Sequence, residues 1–265
     1  KMVGNLDIDF YSHVCDNQEF NDISLSFLEA SVPDADIPND IAIAKMYFMM
    51  MEKFDVPSSF EGHSFRTEGT VPFGWTYMDG KYIESIHNKF GKLPMKTYPN
   101  LKIDYWLKNI ELRRADRIRL LYYHKYDKEE IKLFLTDKFG WQWYGGHHHE
   151  NEYTKFVKSY LLPKKFGIDK RIVEFSALVR SGQMSREKAL NEISKPVEID
   201  EDFLHYVKKR LGILDDFERI MAKPIKSYRD YETYVPYFKE NIEKFSLMSQ
   251  EGLIPQTFFE KISRL

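Results

Sequence analysis

Apolar residues recur at helical spacing between Asn17 and about Ala30, with Phe20, Ile23, Leu25, Phe27 and Leu28 as the apolar positions, and the spacing predicts an amphipathic helix there. Ahead of it, Ile8 to Val14 alternates in polarity and is rich in β-branched and aromatic residues, the pattern of a short strand. The loop Pro33 to Pro38 ends the helix. From Asp40 to Phe54, Ile41, Ile43, Met46, Tyr47, Phe48, Met49, Met50 and Met51 cover nearly the whole circumference, which predicts a helix buried on most sides. Val56 to Glu61 reads as a following buried strand. Strand, helix, helix, strand with short loops predicts the parallel α/β class, in which ligands sit at the carboxyl ends of the strands. From Asp79 onward helices dominate, at about 79–90, 101–110, 127–138, 150–161, 169–181, 185–194, 200–211 and 215–222, with one strand near Arg117 to Tyr122. Tyr228 to Leu265 reads as an extended arm closing with a short helix at Pro255 to Arg264. Glycine, proline and aromatic residues cluster between Gly69 and Pro99, so the expected division is an α/β part over 1–98 and a mostly helical part over 99–265.

Charge and composition narrow the function classes. Lys plus Arg total 39 against 41 Asp plus Glu in 265 residues, a net charge of −2, which argues against a nucleic-acid binder that works by phosphate neutralisation. The single cysteine, Cys15, excludes an internal disulfide and four-cysteine zinc sites, and a reducing cytoplasm is expected. The longest apolar run, Ile41 to Met51, is interrupted by Lys45 and falls short of the roughly 20 residues that span a bilayer, so no membrane association is expected. The N-terminus lacks the pattern of a secretion signal and reads like a chain entered midway.

Four stretches offer chemistry. Gly62 to Gly69 is a glycine-bounded polar loop after a strand, either a phosphate cradle or a simple connection. Tyr144-Gly145-Gly146-His147-His148-His149-Glu150 places titratable groups before a helix, as an anion or metal site or as a polar helix start with stacked aromatics. It lacks the two-histidine, four-apart pattern of zinc proteases, and no residue is assigned as a metal ligand. Residues 158–171 carry Lys158, Lys164, Lys165, Lys170 and Arg171 against Asp169, a local excess suited to a phosphorylated or carboxylated substrate or to ordinary ion pairs. Arg113, Arg114, Arg117 and Arg119, interleaved with Glu111 and Asp116, read as a salt-bridged surface. Asp34, Asp36 and Asp40 offer carboxylates for Mg²⁺ or caps for the buried helix. The isolated histidines, His63 among them, read as packing or surface residues.

The run Tyr144 to Glu150, then Tyr153-Thr154-Lys155-Phe156, Leu162-Pro163-Lys164-Lys165-Phe166-Gly167-Ile168-Asp169-Lys170-Arg171 and Ser181 to Leu190 resembles the N-acetyl sugar amidotransferase family of lipopolysaccharide and pseudaminic- or legionaminic-type sugar biosynthesis. Leu25 to Leu28, Ala30 to Asp34, Ile37 to Asp40 and Ser64 to Gly69 resemble the same family in the same order, so the likeness runs over most of residues 5–230.

The resemblance implies a PP-loop ATP-pyrophosphatase fold, a doubly wound parallel sheet followed by a mostly helical region. It implies ATP and Mg²⁺, adenylation of an acetamido oxygen on a nucleotide-activated sugar, and displacement of AMP by ammonia to leave an acetamidino group. The ammonia would come from a glutaminase subunit of the histidine-biosynthesis type, with its cyclase-like companion as a further partner. Ser64, Thr67 and Glu68 would face the nucleotide phosphates, with Asp36 or Asp40 nearby. His148, His149 and Glu150 would carry the chemistry in a pocket with Tyr144, Gly145 and Gly146, while Lys164, Lys165, Lys170 and Arg171 would bind phosphate or a sugar carboxylate. The chain departs from the family in two ways. No Ser-Gly-Gly-x-Asp-Ser loop and no cysteine pairs occur in these 265 residues, so the reading is of a fragment entered after the first strand and phosphate loop. His147 stands where the family pattern has lysine. The other readings the residues leave open are, in order, a non-catalytic module that binds a sugar nucleotide or docks a glutaminase, a relative of the PP-loop tRNA-modifying enzymes, against which the acidic net charge and the lack of a cysteine motif speak, and a zinc hydrolase using the His147 to His149 run.

Overall fold

Local capping decides where the helices begin. In a computed structural model that describes residues 2–72, 74–112 and 116–265, Asp16 accepts the N–H groups of Gln18 and Glu19 at 2.9 and 3.0 Å and starts helix α2 (Asn17–Ala30), which follows the short α1 (Met2–Leu6). Asp36 precedes α3 (Ile37–Lys53), whose Pro38 lies in the first turn, where no N–H is needed. Asp79 caps α4 (Gly80–Phe90), its Oδ1 accepting from Tyr82 N at 2.6 Å. The chain continues through α5 (Ile103–Glu111), α6 (Leu120–Tyr123), α7 (Lys128–Phe139), α8 (Glu152–Phe156), a π-helical segment (Val157–Phe166), α9 (Arg171–Arg180), α10 (Arg186–Ser194), α11 (Glu201–Leu211), α12 (Phe217–Ala222), α13 (Val235–Glu240), α14 (Ile242–Gln250) and α15 (Gln256–Ile262).

Among the described residues the only sheet is a parallel pair, β1 (Ser58–Phe60) with β2 (Asp116–Ile118), in the register Ser58 to Asp116 and Phe60 to Ile118. The doubly wound sheet stays an expectation of the resemblance. Residues 8–14 are irregular chain rather than the expected strand, with Ile8, Phe10 and Val14 exposed. No neighbouring strand among the described residues gives their backbone a ladder. The strand expected to reach Tyr122 stops at Ile118, and Leu120–Tyr123 is helical. Arg113 and Arg114 of the expected salt-bridged surface lie outside the described residues.

By compactness the chain forms two units, each discontinuous in sequence, and the division crosses residue 98. The strand-bearing unit comprises Cys15–Phe60, Tyr77–Ile118 and Ala222–Leu265. In it α2 lies on α4, with Ile23, Phe27, Tyr82, Ile83 and Ile86 fully buried and the Phe27 ring edge-on to Tyr82 at 5.6 Å. Each such side chain stabilises the fold by about 1.5–3 kcal/mol through area removed from water. A second cluster joins Leu107 and Ile110 of α5 to Phe238, Phe245, Met248, Ile254 and Ile262. The expected extended arm is thus a set of short helices wrapped round a core.

The histidine-loop unit comprises Lys1–Val14, Glu61–Thr76 and Arg119–Met221. Its core holds Phe156, Val157, Leu161, Leu162, Ala177, Leu204 and Phe217, with Phe156 stacked on Tyr160 at 6.0 Å. The helix expected over 150–161 begins at Glu152 and turns into the π-helical segment, which contains Pro163. Proline has no N–H to donate, and its ring clashes with the carbonyl four residues back, so the wider turn relieves that contact. No helix among the described residues is long and apolar enough to cross a membrane.

Candidate functional site

Two loops of the histidine-loop unit meet, one before α8 and one between β1 and α4 in the chain. The first is Tyr144 to Glu150. Trp143 and Tyr144 stack at 5.0 Å, Trp141 lies edge-on to Tyr144 at 5.6 Å, and the Lys132 ammonium stands 3.8 Å from the Trp143 ring. At Gly146 a Cβ would lie 2.2 Å from the His149 ring, so only glycine lets the chain fold back over that imidazole. His148 takes a left-handed backbone, φ 62°, a conformation that costs a non-glycine residue free energy. Asn151 then starts α8 by accepting from Tyr153 and Thr154 N–H.

The second loop is Gly62 to Gly69. Ser64 and Thr67, expected to face phosphates, are both buried. The Ser64 hydroxyl accepts from Arg66 N–H at 3.3 Å, and the Thr67 hydroxyl lies 2.9 Å from Tyr126 OH. Their hydroxyls therefore hold the loop in shape. Gly69, at φ 72°, passes so close to α9 that a Cβ would meet Val173 O at 2.6 Å. Glu68 accepts from Ser64 N–H at 3.1 Å through Oε1, and its Oε2 faces His63 Nε2 at 3.5 Å.

Glu68, His147 and His148 converge, with one potential ligand atom from each lying within 4.8 Å of the others. The His147 and His148 rings are 4.0 Å apart. His148 Nδ1 lies 3.3 Å from Glu150 Oε1, and His149 Nε2 lies 3.2 Å from Ser159 Oγ. Burial, reinforced by the charges of His148, Lys158 and Lys128, pushes the His147 imidazole down to about 2. Burial, with Lys155 and Lys158, also lowers His149, against the opposing pull of Glu174 and Glu150. Both rings are neutral at pH 7. Burial first, then Glu150, raises the Tyr144 phenol.

The basic residues divide. Arg171 is engaged throughout: its guanidinium reaches Asp169 at 2.8–3.1 Å and the carbonyls of Glu192, Ile193 and Lys195 at 3.0–3.2 Å, closing the end of α10. Lys165 donates to Ile220 O at 2.5 Å. Lys164 is exposed and Lys170 is half-buried at the start of α9. Asp36 and Asp40 belong to the strand-bearing unit, at the start of α3, where Asp36 Oδ1 accepts from Asn39 at 2.6 Å.

Residues 150–245 match the family described as LPS biosynthesis protein WbpG-like, C-terminal domain. No curated protein and no solved structure matches the chain. The matched stretch begins at Glu150 and takes in Lys164, Lys165, Lys170 and Arg171, and it is thereby similar to a family of lipopolysaccharide biosynthesis. His147 to His149 and the Ser64–Gly69 loop lie outside it.

Along the chain His63 is an isolated histidine, whereas the fold places it on the Glu68 carboxylate. Its one visible signal was its position next to Ser64 in the polar loop. Lys128, which pairs with Glu174 at 2.5 Å and contributes to the field at His147, carried no signal at all.

Proposed function

We propose that the protein is an ATP-dependent amidotransferase of lipopolysaccharide or flagellin-glycan sugar biosynthesis, converting an acetamido group on a nucleotide-activated sugar into an acetamidino group. The observation that carries the reading is the match of residues 150–245, from Glu150 onward, to a lipopolysaccharide-biosynthesis family. In the reaction the acetamido oxygen attacks the α-phosphorus of ATP and pyrophosphate leaves. Ammonia then adds to the imidate carbon, and AMP departs with that oxygen. An amide oxygen is a poor leaving group, and the phosphoester turns it into a good one.

The chain's own groups suit the second step. Neutral His149, braced by Ser159, can accept the proton that ammonia releases as it adds. His148 and Glu150 form a hydrogen-bonded pair at the exposed side of the loop, where a sugar can reach them. Lys164 and Lys170 supply positive charge for phosphate oxygens. Mg²⁺ would accompany ATP and neutralise its phosphates. It takes oxygen ligands, and Asp36 and Asp40 carry carboxylates of that type.

The test uses the full-length protein with ATP, Mg²⁺, an ammonium salt and nucleotide-activated acetamido sugars. Equimolar AMP and a sugar that has exchanged one oxygen for one NH, read by mass spectrometry, are the expected products. His148→Ala and Glu150→Ala should each lower turnover by about 10²-fold or more with circular dichroism unchanged. Sugar binding without AMP formation would favour a non-catalytic binding module, and unaltered turnover in both variants would remove the histidine loop from the active site.

A further inference from the structure

We propose that Glu68, His147 and His148 form a binding site for a divalent transition-metal cation of the zinc type, with His63 and Glu150 orienting its ligands from behind. The inference does not depend on the amidotransferase reading, because it concerns occupancy of the site by a metal alone.

Ligands on a tetrahedral cation at metal–ligand distances near 2.1 Å lie about 3.4 Å from one another. The three ligand atoms here lie within 4.8 Å of one another, so rotamer adjustments of about 1 Å close the site without moving the backbone. Two of the three residues are adjacent in sequence on a loop shaped by Gly146 and by the left-handed His148, and the third comes from a loop 80 residues earlier.

Glu68 and His148 are held in the way metal ligands are held. Glu68 is fixed by Ser64 N–H on one oxygen and faced by His63 on the other. His63 Nδ1 in turn lies 3.3 Å from Tyr122 OH. The His148 Nδ1 partner is Glu150, which leaves Nε2 as the ring nitrogen for a cation, a carboxylate–histidine–metal relay. The His147 ring, half-buried, has no hydrogen-bond partner among the described residues, and a cation would satisfy it.

Charge permits the site. Lys128, which with Lys158 bears on His147, is paired with Glu174, and Glu68 and Glu150 bring two carboxylates to the histidines. Two imidazoles and one carboxylate favour zinc-like ions over Mg²⁺, which prefers all-oxygen shells. Three protein ligands leave the fourth position for water or for an oxygen of a bound small molecule.

The experiment is calorimetric titration of the metal-stripped, tag-free full-length protein with ZnCl₂, repeated with Co²⁺ to read coordination from its visible absorbance. One equivalent of Zn²⁺ with a tetrahedral Co²⁺ spectrum is expected, and Glu68→Gln, His147→Asn and His148→Asn should each weaken binding by about tenfold or more. His149→Asn, the neighbouring imidazole, should leave affinity within about twofold. His148 is exposed, so its replacement does not endanger the fold. No stoichiometric Zn²⁺ binding by the wild type, or equal affinity in the wild type and His148→Asn, would overturn the site.

Discussion

Glu19 shows what a carboxylate needs in order to sit in a protein interior. It is 4% exposed, and its oxygens accept N–H groups from Lys96, Thr97 and Tyr98 at 2.8–3.0 Å and the Thr97 hydroxyl at 2.9 Å. Burial alone raises its pKa, but those donors outweigh it and the net shift is downward. A carboxyl whose folded pKa is depressed contributes stability above its unfolded pKa, near 4.3, and that stability is lost as pH falls through the folded value. Glu19→Gln should therefore cost about 1.5–3 kcal/mol at pH 7, and urea melts of the two proteins should converge as the pH drops below about 4. At this scale the sequence identified residues but not their tasks. Arg171 is visible in the sequence as a cation in a basic stretch, and in the fold its charge closes a helix end, because Asp169 and three carbonyls lie within its reach. Glu68 was marked as polar loop chemistry, and nothing in its neighbours revealed the two histidines beside it.

At the scale of elements, periodicity was a good guide wherever a helix had a cap and a clear stripe. The helix predicted over 17–30 is α2, and those predicted over 127–138 and 200–211 differ from α7 and α11 by about one residue at either end. The helix expected at Pro255 to Arg264 is α15, but the chain before it is not the extended arm expected: Pro236 lies in the first turn of α13, a position that needs no intrahelical N–H, and α14 follows. The strand pattern over 8–14 failed for a different reason: alternation describes a fit to a sheet face, and these residues have no ladder among the described residues to join. The Arg171 clasp makes a prediction at this scale. Arg171→Ala removes the donors to Glu192, Ile193 and Lys195, so α10 should fray. Hydrogen exchange should speed up over 186–194 while α2 and α4 stay protected, and global stability should fall by about 1–3 kcal/mol.

For the molecule as a whole, near balance of charge is the property that acts everywhere at once. With a net charge of −2 at pH 7 and a sequence isoelectric point near 6.5, the chain reaches neutrality just below pH 7. Turbidity of concentrated protein should therefore peak near pH 6–7 and clear on either side, and salt should shift this little if local ion pairs rather than net charge set association. The helices over 17–30, 127–138 and 200–211, the lack of a second cysteine for an internal disulfide and this charge balance were legible in the chain, because they depend on spacing over a few residues or on counts. Contacts between distant segments set the rest. The pairing of β1 with β2 joins residues 58 and 116, and the core around Phe245 joins α5 to the last three helices. The convergence of Glu68 with His147 and His148 likewise depends on two loops 80 residues apart meeting within one unit. Spacing along a chain carries no information about such meetings, which come from the burial of apolar faces against one another, and the chemistry of the site is assembled by them.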